Sequence, residues 1–144
     1  MASGKMHLMT HKECLTKPPS RIRVLVVGIN PSKGSTRSKT LGRLSKWAEK
    51  LGIEYFSFVN CVHTTGVYKP ADIDYNTLMD CAQLHDKVLA LGNFPSRALE
   101  ILGIEHFVLP HPSGLNRKLN DPAYEKQKLS EAKRYIDGNH RVLR

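Results

Sequence analysis

The sequence has few cysteines and no long apolar run, and each of these two shortages excludes a class of protein. Its three cysteines stand at no metal-ligand spacing, which argues against a disulfide framework and favours a reduced, intracellular chain in the cytoplasm or nucleus. No apolar stretch approaches the roughly 20 residues that cross a bilayer, and no secretory leader is visible. We therefore expect no membrane partner. The small size would also suit a phage-encoded protein.

Acidic residues are also few, and this shortage points to a partner. The chain has 22 Lys and Arg but only 13 Asp and Glu, which gives a formal net charge of +9. Such an excess favours a polyanion, most often nucleic acid. A basic surface that merely aids solubility is the alternative.

The chain of 144 residues fits one domain. Residues 1–20 are polar and predict a loosely ordered lead-in, and residues 21–144 form the domain. Apolar runs that indicate strands alternate with segments of helical periodicity. Strands separated by helices pair in parallel, so we expect a single-domain α/β fold, a three-layer α/β/α sandwich around a four-stranded parallel sheet. The predicted strands cover 23–28, 55–60, 87–91 and 105–109, and the predicted helices cover 41–51, 74–84, 95–102 (capped by Asn93) and 121–138.

Two short segments interrupt apolar runs with proline and small polar residues. Gly28-Ile29-Asn30-Pro31-Ser32 follows the first strand, and His111-Pro112-Ser113-Gly114-Leu115-Asn116-Arg117 follows the last. Open α/β sheets bind ligands in loops at the carboxyl ends of their strands. An amide in one loop and a histidine, a serine and an arginine in the other suit a polar substrate that carries phosphate.

These two segments resemble motifs of the uracil-DNA glycosylase superfamily. The first is similar to the motif of the mismatch-specific uracil/thymine type and of the single-strand-selective type, and the second resembles the later motif of both. Phe58-Val59-Asn60 and the segment 89–103 add further similarity, so that the resemblance runs from about residue 23 to about residue 137. The iron–sulfur branch of the superfamily needs four cysteines, so no cluster is implied here.

The resemblance implies a DNA glycosylase that hydrolyses the N-glycosidic bond of uracil or of a related damaged or modified base, as in base excision repair. It would act as a monomer on single- or double-stranded DNA, with no cofactor and no metal. It would be monofunctional, because neither motif holds a lysine that could form a Schiff base.

Two residues are the candidate catalytic groups. His111 can donate a hydrogen bond to a carbonyl oxygen of the departing base, where negative charge develops. Asn30 can hold the attacking water but cannot serve as a strong base, because an amide does not usefully accept a proton. An aspartate at this position would be expected to orient water at least as well. The alternatives are a loop histidine that bonds local backbone and an asparagine that only makes the turn before Pro31.

The predicted base pocket draws on residues at the ends of the first two strands. Asn60 offers a donor and an acceptor that match O4 and N3–H of a pyrimidine, and cytosine presents the reverse pattern. Superfamily members usually carry a stacking aromatic after the first motif, but residues 33–46 contain none. Tyr68, or Tyr55 and Phe56, would have to replace it. The predicted base-binding residues are therefore Asn60, Ile29, His63 and Tyr68.

DNA contacts are expected from both loops. An apolar side chain after the Pro-Ser-Gly turn can unstack the duplex, and nearby cations can hold phosphates. The predicted DNA-binding residues are Ser32, Lys33, Ser113, Gly114, Leu115, Asn116, Arg117 and Lys118, and a basic loop with Ser35, Arg37 and Lys39 follows the first motif. Trp47, at helical spacing with leucines, is expected in the core.

Two other functions are compatible with these residues. One is a non-catalytic relative that binds nucleic acid or nucleotides in the same pocket without efficient excision. The other is an enzyme that acts on free nucleosides or nucleotides, which the positive charge and the expected wedge disfavour.

Overall fold

The computed structural model describes residues 5–8, 22–31, 34–112 and 117–138. Five strands and four helices alternate along these segments. The strands are β1 (Lys5–Leu8), β2 (Val24–Gly28), β3 (Tyr55–Asn60), β4 (Lys87–Leu91) and β5 (Phe107–Leu109). The helices are α1 (Gly34–Lys50), α2 (Tyr75–Gln83), α3 (Asn93–Ile101) and α4 (Pro122–Ile136), with short 3-10 turns at Pro70–Asp72 and Arg117–Asn120.

The strands form one parallel sheet in the order β1-β3-β2-β4-β5. The predicted α/β fold with four parallel strands is confirmed by β2 to β5. Strand β1 is an addition at the edge, where Lys5 pairs with Tyr55 and Leu8 with Phe58. It lies inside the segment expected as a lead-in. The sequence does not predict it, because a four-residue strand within a polar stretch leaves little periodic signal.

Helices cover both faces of the sheet, which makes the three layers. Alternate strand residues such as Val26 and Phe58 pack with α1 and α4, whereas Leu25 and Val27 pack with α2 and α3. The predicted core position of Trp47 is confirmed: its side chain is 2% exposed, and Nε1 donates to Glu125 Oε2 at 2.8 Å. Sheets buried on both faces carry the near-continuous apolar strands seen in this sequence.

Two helix starts differ from the prediction. Helix α1 begins at Gly34 rather than Leu41, so that Ser35, Arg37 and Lys39 belong to its first turns and not to a loop. Their polar side chains leave no apolar period to detect. Helix α3 is capped at Gly92, whose φ of 95° suits glycine, and Asn93 lies inside the helix instead of capping it.

The order of the strands creates a crevice at the carboxyl edge of the sheet. From β2 the chain crosses by α1 to β3 on one side, and from β4 it crosses by α3 to β5 on the other side. Because α1 and α3 lie on opposite faces, the loops after β2 and β4 diverge. This is the topological switch point at which open α/β sheets bind ligands.

The cysteines differ in state. Cys61 is a buried free thiol, and burial raises its pKa to about 12. Cys81 is disulfide-bonded, which corrects the expectation of a fully reduced chain. An odd number of cysteines argues against a full framework but still allows one bridge. No helix in the described ranges is long and apolar enough to cross a membrane.

Candidate functional site

Both predicted catalytic residues lie at the carboxyl edge of the sheet. Asn30 follows β2 and His111 follows β5, with β4 between these two strands. At about 4.8 Å between strands, β2 and β5 lie roughly 10 Å apart.

The amide group of Asn30 is held in one orientation by backbone carbonyls. Its Nδ2 donates to Thr64 O at 3.1 Å and to Gly66 O at 3.0 Å. Because carbonyl oxygens only accept, the atom that faces them must be the NH2 group. Asn30 Oδ1 therefore remains as the acceptor of this side chain, and it has no hydrogen-bond partner within the described part of the chain.

Asn60 ends β3 beside Gly28, the residue with which it pairs in the sheet. It continues the alternation of Phe56 and Phe58 and so belongs to the face covered by α1 and α4. A Cβ built on Gly28 would stand 2.7 Å from Asn60 Oδ1, so only glycine leaves room for the amide as it is placed. Among the described residues, no hydrogen-bond partner is found for this half-buried amide, and a ligand could use both its donor and its acceptor.

His111 lies two residues beyond β5, next to the start of α3. Gly92 donates its N–H to Leu109 O at 2.8 Å, which ties the start of α3 to the end of β5. A Cβ on Gly92 would lie 3.7 Å from His111 Cβ, an ordinary contact. Burial lowers the pKa of His111 below its usual 6.5, so the imidazole is neutral at pH 7 and has one N–H donor.

A cavity of about 450 Å³ borders His111 and opens beside α4. Leu109, Pro110 and Tyr124 contribute to its wall, and the cations Lys118 and Lys128 also line it. Its size lies in the range of small-ligand pockets. Asn30 and Asn60 are not part of its lining, so the cavity corresponds to the His111 half of the predicted site.

His63 lies at the edge of the site and forms a hydrogen bond with Asp74. Its Nε2 lies 2.7 Å from Asp74 Oδ2, and its side chain is 61% exposed. Asp74 also caps α2 by accepting from Thr77 N and Thr77 Oγ1. The bond from His63, followed by those from Thr77, lowers the pKa of Asp74 to about 2 despite partial burial. A contact between His63 and a base stays a prediction.

Tyr68 contacts an aromatic residue that sequence reasoning did not single out. Its ring meets that of Phe94 edge to face, with 4.8 Å between centroids and 71° between planes. Phe94 stands in the first turn of α3, two residues after Gly92. The signal that could have found Phe94 is an aromatic residue three positions after the end of the third predicted strand. Tyr68, a predicted replacement for the aromatic missing from 33–46, thus packs on Phe94.

Several predicted DNA contacts lie outside the described residues, namely Ser32, Lys33, Ser113, Gly114, Leu115 and Asn116. Arg117 begins the 3-10 turn Arg117–Asn120, and Lys118 is exposed beside the cavity. Ile29 is half-buried, and its carbonyl accepts from Val62 N at 2.9 Å. Within the described ranges, no group of three His, Cys, Asp or Glu side chains could hold a metal ion.

No protein-family model matches the chain, and neither a curated protein nor a solved structure is similar to it at a significant level.

Proposed function

We propose that the protein is a monofunctional DNA glycosylase that removes uracil or a related base from DNA. Cleavage of the N-glycosidic bond places positive charge on the sugar and negative charge on the departing base. The protein must hold the extruded nucleotide, stabilise the base anion and position one water molecule. In this proposal the chain acts as a monomer inside the cell.

The observation that carries the proposal is the fixed orientation of the Asn30 side-chain amide. A water molecule near the sugar needs an acceptor with a fixed direction. Two hydrogen bonds to Thr64 O and Gly66 O commit the NH2 group and leave Oδ1 for that task. An asparagine that only formed the turn before Pro31 would not need both of these long-range bonds.

His111 and Asn60 complete the chemistry on the base. A neutral imidazole donates a hydrogen bond to a base carbonyl, where it strengthens as the anion forms. The side chain of Asn60 can then match the donor and acceptor edge of uracil. The net charge of +9 favours binding to the DNA backbone.

The decisive experiment is an excision assay on oligonucleotides. Single strands and duplexes that contain uracil, hypoxanthine or cytosine, and duplexes with thymine mismatched with guanine, are incubated with the protein and cleaved with alkali. We expect cleavage at uracil, and a decrease of about 10²-fold in the single-turnover rate for His111→Ala with nearly unchanged DNA affinity.

A second histidine provides the matched control. His106 bonds Ser96 Oγ and Ile104 O at the amino end of β5, far from Asn30. His106→Ala, checked for folding, should keep the excision rate. Equal losses of rate in the two variants would remove His111 from the chemistry.

The second candidate function is a nucleic-acid-binding relative without efficient excision. It is favoured by the amide at position 30, which cannot deprotonate water, and by the lack of an aromatic in 33–46. Under this alternative no base is released from any oligonucleotide. Arg117→Ala would still weaken binding to every sequence and flatten the salt dependence by about one unit of slope.

A further inference from the structure

Residues 62–73, here called the bridging loop, carry the most exposed large hydrophobic side chain among the described residues. Val67 is 92% exposed, more than Ile101 at 70%. Gly66 precedes it with a φ of +86°, a conformation that suits glycine and turns the chain at this point. The valine therefore stands at the tip of the loop.

The bridging loop is held firmly enough to present this tip. Asp74 N donates to Cys61 O at 2.9 Å and closes the base of the loop. Lys69 N donates to Asp72 Oδ2 at 2.9 Å, and Tyr68 packs on Phe94 at the start of α3. The exposure of Val67 thus belongs to a defined loop conformation.

The same loop is bonded directly to the candidate water-holding residue. Asn30 donates to the carbonyls of Thr64 and Gly66, which are three residues and one residue away from the tip, respectively. The loop starts at the end of β3, passes the end of β2 and reaches α3 beyond β4. It places an aliphatic side chain beside the position where the extruded nucleotide would lie.

We infer that Val67 inserts into the DNA base stack next to the extruded nucleotide. The inference rests on the proposed function and adds a wedge on the bridging loop to the one predicted at Leu115. Apolar side chains that enter a base step are a recurring means of unstacking DNA. The exposed cation Lys69 adjoins the tip, whereas the carboxylates of Asp72 and Asp74 are bonded within the loop and its base.

Binding to a non-cleavable substrate tests the inference without requiring excision. The probe is an oligonucleotide with 2′-fluoro-2′-deoxyuridine, in which the fluorine disfavours the sugar cation, offered as a single strand and paired with adenine. Val67→Ala should weaken duplex binding about tenfold, since two methyl carbons of buried apolar surface are lost. Single-strand binding should change less than twofold, because little stacking has to be broken. Val67→Ile should retain duplex affinity.

Ile101→Ala is the matched control, because it truncates another exposed aliphatic residue at the far end of α3. It should alter neither affinity. A Val67→Ala effect as small as that of Ile101→Ala overturns the inference, as does an equal loss on single strands and duplex.

The outcomes also separate the wedge from the enzyme. A selective duplex effect in a protein that excises no base supports the wedge and overturns the glycosylase. Normal excision with no Val67 effect overturns only the wedge. A 2-aminopurine placed beside the uracil reports unstacking independently, and its fluorescence gain should decrease in Val67→Ala.

Discussion

Replacement of Gly28 by alanine tests how the site is packed around Asn60. The backbone of Gly28 is not in the left-handed region, so alanine brings no conformational penalty there. The new Cβ would stand 2.7 Å from Asn60 Oδ1 and 2.7 Å from Phe58 Cζ. Phe58 is only 8% exposed and cannot easily move, whereas the half-buried Asn60 amide can rotate away.

We expect Gly28→Ala to destabilise the fold by about 1–3 kcal/mol, as overpacking of a core does. We also expect a loss in discrimination between uracil and cytosine that, expressed as a free energy, exceeds the loss in stability. The reason is that the displaced amide no longer contacts the edge of the base. Urea unfolding gives the first quantity, and excision rates on the two substrates give the second.

Two further variants sharpen this experiment. Gly42 has no neighbouring atom within 4 Å of a built Cβ, so Gly42→Ala in α1 should stabilise the protein by up to about 1 kcal/mol. If Asn60 is the main obstacle, Asn60→Ala should recover part of the stability lost in Gly28→Ala, in a double-mutant cycle. Unchanged stability and base selection in Gly28→Ala would refute the packing argument.

Three other predictions concern protonation and the bridging loop. Burial lowers the pKa of His111, so the imidazole does not change its charge above pH 6.5 and we expect the pH profile of kcat/KM to show no His111 step there. The free energy of unfolding should decrease as the pH falls below that value, since the unfolded chain binds the proton more readily, and this decrease should be smaller in His111→Ala, in which the half-buried His85 still contributes its own share. Asn30→Asp should lower activity and cost about 1–3 kcal/mol, contrary to the sequence-based expectation, because a carboxylate cannot donate to Thr64 O and Gly66 O; activity equal to wild type would contradict the assigned hydrogen bonds. Asp74→Ala should cost about 1 kcal/mol of unfolding free energy through loss of the α2 cap. In the parent protein, the stability contributed by the lowered pKa of Asp74 is present above pH 3.8 and is lost as the pH falls through about 2. Acid titration of the parent and of the variant would reveal this difference.

Regular patterns allowed much of the fold to be predicted. The bounds of β3 and β4 were predicted to the residue, since each is a short apolar run between polar segments. Helix α2 was placed correctly because Asp74 is a strong capping residue. The first turns of α1 and the edge strand β1 have no apolar period, and β1 forms by pairing with β3, which is distant in the sequence.

The candidate site was predictable in its location but not in its contacts. Loops after buried strands indicated Asn30 and His111, and the parallel sheet places them at one edge. The bonds from Asn30 to Thr64 and Gly66 span more than 30 residues and have no local signature. The contact of Tyr68 with Phe94 also depends on a loop path that only the folded chain defines.

The buried thiol at the base of the bridging loop makes local opening measurable. Cys61 donates its N–H to Gly28 O and accepts from Asp74 N, and its sulfur is enclosed and protonated, with a pKa of about 12. Such a thiol reacts with an alkylating reagent only when its surroundings open, so its labelling rate reports the free energy of that opening. The labelling rate of the Cys61 sulfur, compared with and without DNA, would thus show how strongly a ligand at the strand ends suppresses the opening of this part of the molecule.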